Sequence, residues 1–370
     1  MCRFFSIIFT IFILMLALSI NALAYDVSAK HAYVCEFDTG STVFAKNENI
    51  RVSMASTTKI MTAIVAIENF PLDKVVKIPK EAVGIEGSSI YLQEGECLIF
   101  EDLLYALLLE SANDAAVAIA ITVSGSVDDF VQLMNDKAKE LGLVDTHFTN
   151  PHGLDNESHY TTARELSKIA CYAMKNPIFA DIASTYKRVI PLNNDGSRIL
   201  VNHNKLLRSY DGAIGIKTGF TKKSGRCLVS CAEKGGVKLL CVTINAPSDW
   251  ADHKNLLDYG FTQFKNIKLA ESGEYILSLD VINGKKSSIL CTNFHNLDVT
   301  LPINNINISA SYEATRLLPA PVRQGDLVGK IIFKNNNEEI ASLNIYALES
   351  VKEIKYKKSF FERIFSNGKN

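Results

Sequence analysis

Three short clusters set a nucleophile, an amide or a cation where side chains can meet. Ser56-Thr57-Thr58-Lys59 puts a hydroxyl and an amine three residues apart at the start of an apolar helical stretch, so the two share one face within contact reach. A lysine accepts a serine proton only as the neutral amine, which calls for a desolvated ammonium or a second cation nearby. Alone the spacing says little, because Ser184 to Lys187 and Ser366 to Lys369 repeat it and Ser56 equally suits a helix N-cap. Ser111-Ala112-Asn113 offers a hydroxyl and an amide between the apolar runs Leu103 to Leu109 and Ala115 to Ile121, where a helix stop and restart is the plainer account. Lys217-Thr218-Gly219 follows Ala213-Ile214-Gly215-Ile216 on a strand. There Gly lets another backbone approach closely, and Lys with Thr suits an anionic carboxylate. Lys223-Ser224-Gly225 is a look-alike, and a turn beside a strand explains either triplet by itself.

The elements around these clusters form a pattern. Alternating apolar residues from Ala32 to Ala45 around Asp38-Thr39-Gly40-Ser41 predict a hairpin. Met54 to Glu68 takes helical spacing, with Ile60, Met61, Ile64 and Ile67 on one stripe. Phe100 to Ser124, Val127 to Leu141 and Thr162 to Lys175 are further amphipathic segments, so about 70–185 reads as a helical lobe. Strand character returns at Lys187 to Leu192 and Arg198 to Val201, flanking the turn Asn193-Asn194-Asp195-Gly196. Arg226 to Glu233 and Val237 to Asn245 make another hairpin across Gly235-Gly236, and Asp249 to Phe264 is helical. Strands at both ends of a block with helices inserted between describe an α/β lobe carrying an all-α lobe, with a cleft suited to catalysis. From about 266 to 350, short alternating runs such as Tyr275 to Val281, Leu297 to Leu301 and Val328 to Phe333 predict a small all-β domain.

The ends set the compartment. Arg3, the apolar run Phe4 to Ile20 and Ala22-Leu23-Ala24 have the layout of a secretory signal over residues 1–24, so the mature chain begins near Tyr25 and works outside the cytoplasm. The last twenty residues, 351–370, mix six basic and two acidic side chains with Ile354, Phe360, Phe361, Ile364 and Phe365. A basic amphipathic helix on a membrane surface is one account of them and a solvated tail the other.

Composition narrows the partners. The 370 residues carry 39 basic and 40 acidic side chains, which removes the electrostatic case for nucleic-acid binding. A hydrophobic share of 47% excludes a mostly disordered chain, and a mean hydropathy of +0.09 excludes a polytopic membrane protein. Cleavage after residue 24 leaves seven cysteines, an odd number that rules out a complete disulfide framework. Cys227 and Cys231 on one strand face stand ~13 Å apart, too far to bridge, and read as reduced core residues. No histidine spacing fits a metal site, and no metal or cofactor is expected.

Together the three clusters are specific. Ser-x-x-Lys, Ser-x-Asn and Lys-Thr-Gly, in this order, form the signature of penicillin-binding proteins and class A β-lactamases. The flanking text resembles the low-molecular-weight penicillin-binding proteins, the serine D-alanyl-D-alanine carboxypeptidases of peptidase family S11. The resemblance rests on Ala55-Ser56-Thr57-Thr58-Lys59-Ile60-Met61-Thr62, Asn113-Asp114-Ala115-Ala116, His147-Phe148, His152-Gly153-Leu154-Asp155 and Gly215-Ile216-Lys217-Thr218-Gly219-Phe220-Thr221, and it spans about residues 28–350. It implies a β-lactamase/transpeptidase-like catalytic domain over 25–265, an antiparallel sheet flanked by helices with an inserted helical lobe, followed by the small β-rich domain at 266–350.

The resemblance also implies roles. Ser56 is the acylated nucleophile, Lys59 its base and Ser111 a proton relay. Asn113 holds the substrate amide. Lys217, Thr218 and Gly219 receive the terminal carboxylate, and Lys217 helps keep Lys59 neutral. Backbone N–H groups of Ser56 and Phe220 form the oxyanion hole. The implied substrates are peptidoglycan stem peptides, with β-lactams as inhibitors. Relatives usually carry an Arg where this chain has Asp249, so a weaker grip on the carboxylate is expected. His152 and Asp155 are expected to stabilise a loop. No Glu occurs from Val144 to Gly153, which argues against a deacylating β-lactamase. DD-endopeptidase cleavage of cross-links and a catalytically weak wall-binding scaffold are the alternatives carried forward.

Overall fold

A computed structural model of the chain describes residues 26–192, 196–304, 306–314 and 317–355. The secretory segment expected at 1–24, the turn residues Asn193 to Asp195 and the tail from residue 356 onward lie outside the described residues. The rest falls into two units. One runs to Glu233 and resumes over Lys238–Gly260; the other holds Lys234–Val237 and the chain from Phe261.

In the first unit, β1 (His31–Glu36) and β2 (Thr42–Lys46) pair antiparallel as the predicted hairpin. A single 3-10 turn, Ala55–Thr58, leads into α1 (Lys59–Asn69), whose Ile60, Met61 and Ile64 are fully buried while Ile67 packs at the core margin. Burying each such side chain contributes roughly 1.5–3 kcal/mol. The expected helical stretch is interrupted by a short ladder of β3 (Val75–Lys77) and β4 (Cys97–Ile99). The apolar run from Phe100 then divides into α2 (Phe100–Leu109) and α3 (Asn113–Ser124), which ends on Gly125 in the left-handed region. The Ser126 side chain caps α4 (Val127–Glu140), and Thr162 caps α5 (Ala163–Met174). Sequence reading passed over α6 (Pro177–Ser184), although Asn176 at its cap and Pro177 at its first position are strong start signals. It also passed over the single turn α7 (Leu206–Ser209). Between them β5 (Lys187–Pro191) and β6 (Ser197–Val201) pair as predicted.

The chain returns to the sheet as β7 (Ala213–Thr221), β8 (Gly225–Lys234) and β9 (Val237–Ile244), giving strand order β2-β1-β9-β8-β7. Both faces are covered, so the period of two sorts side chains between them. Leu240, Val242, Cys227, Val229 and Cys231 join the core shared with the helical insertion. On the other face, Ser230 and Thr243 hydrogen-bond His253 of α8 (Asp249–Phe261), and Gly260 packs on Leu239. That helix stops at Phe261, short of the predicted Phe264, because Phe264 opens a strand. Cys227 and Cys231 share a buried face, and the seven described cysteines are all free thiols.

The second unit is all β. Its strands are β10 (Phe264–Ala270), β11 (Leu277–Ile282), β12 (Ser288–Thr292), β13 (Leu297–Pro302), β14 (Ile308–Ala314), β15 (Leu317–Pro319), β16 (Leu327–Asn335) and β17 (Glu338–Ala347). Six of them form a sheet in the order β14-β16-β17-β12-β11-β15, and β10 pairs with β13. Phe333, Ile331, Ile345 and Val281 belong to its buried core. Asn336 and Asn337 turn the β16–β17 hairpin at φ of 50° and 72°, the left-handed geometry that asparagine tolerates.

Candidate active site

Ser56 sits in the 3-10 turn immediately before α1, and its hydroxyl does not serve as a cap. Ala55 before it has φ of 49°, a left-handed backbone that is costly for a residue with a Cβ. The segment is held there from several sides. Thr57 Oγ1 donates to the Met54 carbonyl and Thr58 Oγ1 to the Ala55 carbonyl. Thr62 Oγ1 donates to the Pro151 carbonyl at 2.6 Å, tying α1 to the loop at 150–155. Gly153 in that loop lies at φ +92°, and a Cβ there would come within 2.0 Å of the Ala55 carbonyl oxygen. Only glycine fits, and its tight approach presses the loop onto the turn that bears Ser56.

Lys59, at the first position of α1, is completely buried. Its Nζ lies 3.0 Å from Ser56 Oγ, 2.7 Å from Asn113 Oδ1 and 2.5 Å from the His152 carbonyl. Burial, and after it the like charge of Lys217, holds the Lys59 ammonium well below the ordinary lysine range, against a smaller opposing pull from Asp114. His152, brought down to about 3 chiefly by burial, is neutral and contributes its backbone carbonyl.

The Ser111-Ala112-Asn113 break is real, but neither polar residue caps a helix. Ala112 is the N-cap of α3 without a side-chain bond, Ser111 has φ of 60°, and Asn113 is the first helical residue. Asn113 accepts from Lys59 through Oδ1 and donates through Nδ2 to the Glu86 carbonyl at 2.6 Å. Asp114 beside it accepts from Ser89 Oγ and from the backbone N–H groups of Ile90 and Leu92, fixing the loop that supplies Glu86.

On the sheet side, β7 packs against the Ser56 turn. A Cβ on Gly219 would meet Ser56 N at 3.1 Å and the Ala55 Cβ at 3.2 Å, so the glycine brings the Lys217–Phe220 strand against Ser56. Lys217 is buried, which lowers it to about 7, and its Nζ donates to the Thr218 carbonyl at 2.9 Å. Phe220 is 66% exposed at the mouth. Asp155 accepts from Ser53 Oγ at 2.6 Å and Thr221 Oγ1 at 3.0 Å, joining the segment ahead of Ser56 to the end of β7. The look-alike Ser224 bonds Thr221 inside the β7–β8 turn, and Ser184 Oγ donates to Asp181 at the end of α6. Neither look-alike joins the site. Ser366 lies outside the described residues.

These groups surround a cavity of about 360 Å³ whose walls include Ser56, Ser111, Thr218 and Gly219. Sequence reasoning did not find Arg226, which lines it too. Arg226 sits on β8 opposite Phe220, and its guanidinium pairs with Asp249 at 2.9 Å. The cavity thus holds a cation even though position 249 is acidic. No motif marks Arg226; only the cross-strand register reveals it. A larger cavity of about 510 Å³, walled by His31, Arg51 and Lys223, contains none of the three clusters.

Comparison with known proteins identifies the family. A family profile described as D-alanyl-D-alanine carboxypeptidase matches residues 19–248, and one described as penicillin-binding protein 5, C-terminal domain, matches 264–353. The chain is similar to the D-alanyl-D-alanine carboxypeptidase DacF of Bacillus subtilis, 32% identical over 335 residues that cover 88% of this chain and 86% of the relative. DacC of Escherichia coli is 30% identical over 359 residues, covering 92% and 88%. Among solved structures, penicillin-binding protein 5 from Haemophilus influenzae superposes with a TM-score of 0.65 at 29% identity, covering 89% of this chain and 98% of that one.

Proposed function

The chain belongs to the D-alanyl-D-alanine carboxypeptidase family, and we propose that Ser56 carries out the serine-type cleavage of the terminal D-alanine from peptidoglycan pentapeptide stems. The observation that carries this assignment is the environment of Lys59. A neutral amine has two N–H donors and one lone pair. Asn113 Oδ1 and the His152 carbonyl are pure acceptors and take the two donors, which leaves the lone pair facing Ser56 Oγ at 3.0 Å. The serine O–H then donates to the amine, and the amine takes the proton as Oγ attacks the penultimate carbonyl.

Proton movement and charge stabilisation follow from the surrounding groups. The carbonyl oxygen that gains charge is received by the N–H groups of Ser56 and Phe220, supported by the close passage of Gly219 over Ser56. Ser111 relays the proton to the departing amine, Asn113 orients the peptide, and Thr218 and Gly219 border the terminal carboxylate. Water then attacks the acyl-enzyme, the same lysine takes its proton, and Ser56 is released. A β-lactam follows the first half of this path and stalls as the acyl-enzyme.

Substrate location supports export. Residues 1–24 act as the secretory signal, and the tail holds the enzyme at the outer face of the cytoplasmic membrane, where the stems lie; it starts later than the expected 351, because Val351 and Glu353 pair within the β unit. Purified chain beginning at Tyr25 is expected to release D-alanine from a pentapeptide stem, and the Ser56→Ala variant is expected to release none. Equal release from both would remove Ser56 from the mechanism. Val351 is buried in the β unit and paired with Val322, so the test deletes only 356–370, which is expected to shift the protein from the membrane to the soluble fraction; unchanged fractionation would remove the tail's role.

A further inference from the structure

We infer that Arg226 is the specificity residue that recognises the free C-terminal carboxylate of the substrate, with Asp249 as its positioning residue. This inference rests on the carboxypeptidase reading above and concerns which group in the cavity provides its fixed positive charge. Lys217 is poorly suited to that task. It is 1% exposed, burial holds it to about 7, and its Nζ is already directed at the Thr218 carbonyl. A group that is only partly charged near neutral pH and turned to its own backbone is better placed to act on Lys59 than to hold a carboxylate.

Arg226 has the opposite properties. Its side chain is 43% exposed, its planar guanidinium suits a carboxylate, and it lines the same cavity as Ser56 and Thr218. Strand register sets it beside Phe220, the residue after Lys217-Thr218-Gly219, and the Ala246 N–H fixes its backbone by donating to the Arg226 carbonyl at 3.0 Å. One amino group of the guanidinium is taken by Asp249, whose side chain is only 4% exposed and also accepts the Trp250 N–H at 2.9 Å. The Trp250 ring lies 5.8 Å from the guanidinium carbon. A guanidinium has five N–H donors in a planar fork, so anchoring one edge leaves others for a bidentate carboxylate contact. Asp249 is therefore a brace: it limits the rotamers of a long side chain before substrate arrives.

The test compares two substrates that differ only in the recognised group, a peptide ending in D-Ala-D-Ala and the same peptide amidated at its C-terminus. Arg226→Gln is expected to lower kcat/KM on the acid by about ten- to hundredfold, the loss typical of one charge-assisted contact, and to leave the amide unchanged. Arg226→Lys keeps charge without the fork and should fall between. Asp249→Asn should raise KM for the acid more than it lowers kcat, again sparing the amide. Lys222 is exposed in the β7–β8 turn and does not line the cavity, so Lys222→Gln serves as the control for a diffuse charge effect and is expected to change neither substrate. Equal losses on acid and amide, no loss on either, or the same loss from Lys222→Gln would overturn the assignment. If the unmodified enzyme cleaves neither peptide and Ser56 takes no acyl group from an activated ester, the carboxypeptidase reading itself fails; acylation of Ser56 with no preference for the acid overturns the role of Arg226 alone.

Discussion

Lys217 and Lys59 are two fully buried lysines near enough for positive charge on one to weaken proton binding at the other. Their proximity yields a pH prediction with a definite sign. In the proposed mechanism Lys59 works as the neutral amine, so the acid limb of acylation is expected to follow its pKa. Replacing Lys217 by Gln removes a like charge, raises the Lys59 pKa and moves that limb to higher pH. Because burial outranks the charge of Lys217 as a cause, the move is partial and stops short of the ordinary lysine range. Acylation by an uncharged activated ester across pH measures it without involving carboxylate recognition; an acid limb that stays in place would show that burial alone tunes Lys59.

Burying Lys59 also costs stability. Its folded-state pKa is below the unfolded value, so between the two the unfolded chain binds the extra proton and stability rises with pH through that window. Lys59→Met lacks this dependence. It leaves the Asn113 and His152 oxygens without their donor, a loss of roughly 1–3 kcal/mol, so the slope is more diagnostic than the offset. Urea titrations from neutral pH to about pH 10 should find wild type gaining on the variant, with the gain ending near the unfolded lysine pKa of about 10.4. Parallel stability curves would mean that Lys59 is charged in the folded enzyme.

Much of the site was legible because its chemistry is local. Ser56 and Lys59 are one helical turn apart and Lys217 to Gly219 are contiguous, so each set is visible in the chain, and the order of the three clusters made them specific. The break at Ser111 was legible because polar residues interrupted two apolar runs, although its left-handed backbone was not. What stayed hidden depends on distant pairings. The His152 carbonyl reaches Lys59 only because Thr62 and Gly153 draw that loop onto α1, and a backbone carbonyl has no residue type to read. Arg226 becomes a cavity residue through the β7–β8 register, and its link to Asp249 spans 23 positions. In the fold, α6 was missed because eight residues are too few to establish a helical period, despite the Asn176-Pro177 start.

Gly153→Ala tests how tightly the loop must seat. The added Cβ would lie 2.0 Å from the Ala55 carbonyl oxygen, a backbone atom that cannot rotate away, and the backbone is at φ +92°. Relief requires the loop to lift, which withdraws the His152 carbonyl from Lys59. We expect a stability loss of at least ~3 kcal/mol together with a large fall in acylation. Gly40→Ala, at φ +71° with nothing near its Cβ, isolates the conformational part and should cost only about 1 kcal/mol with no loss of activity. Comparable penalties at both glycines would show that the contact with Ala55 does not matter.

Ser111 allows the hydroxyl and the backbone to be separated by experiment. The residue is nearly buried, lines the cavity with Ser56 and has φ of 60°, where a Cβ costs roughly 1 kcal/mol that glycine avoids. Ser111→Ala and Ser111→Gly both delete the hydroxyl, but only the glycine variant relieves the backbone. In thermal unfolding Ser111→Gly should therefore be the more stable of the two by about 1 kcal/mol. If the hydroxyl passes the proton to the departing amine, both variants should lose about 10²-fold or more in peptide turnover, within the usual range for general acid–base groups. Acylation by a β-lactam should suffer less, because ring strain in the reagent eases departure of the amine. Retained peptide turnover in Ser111→Gly alongside a slow Ser111→Ala would make the residue a backbone device, and the proton would need another carrier.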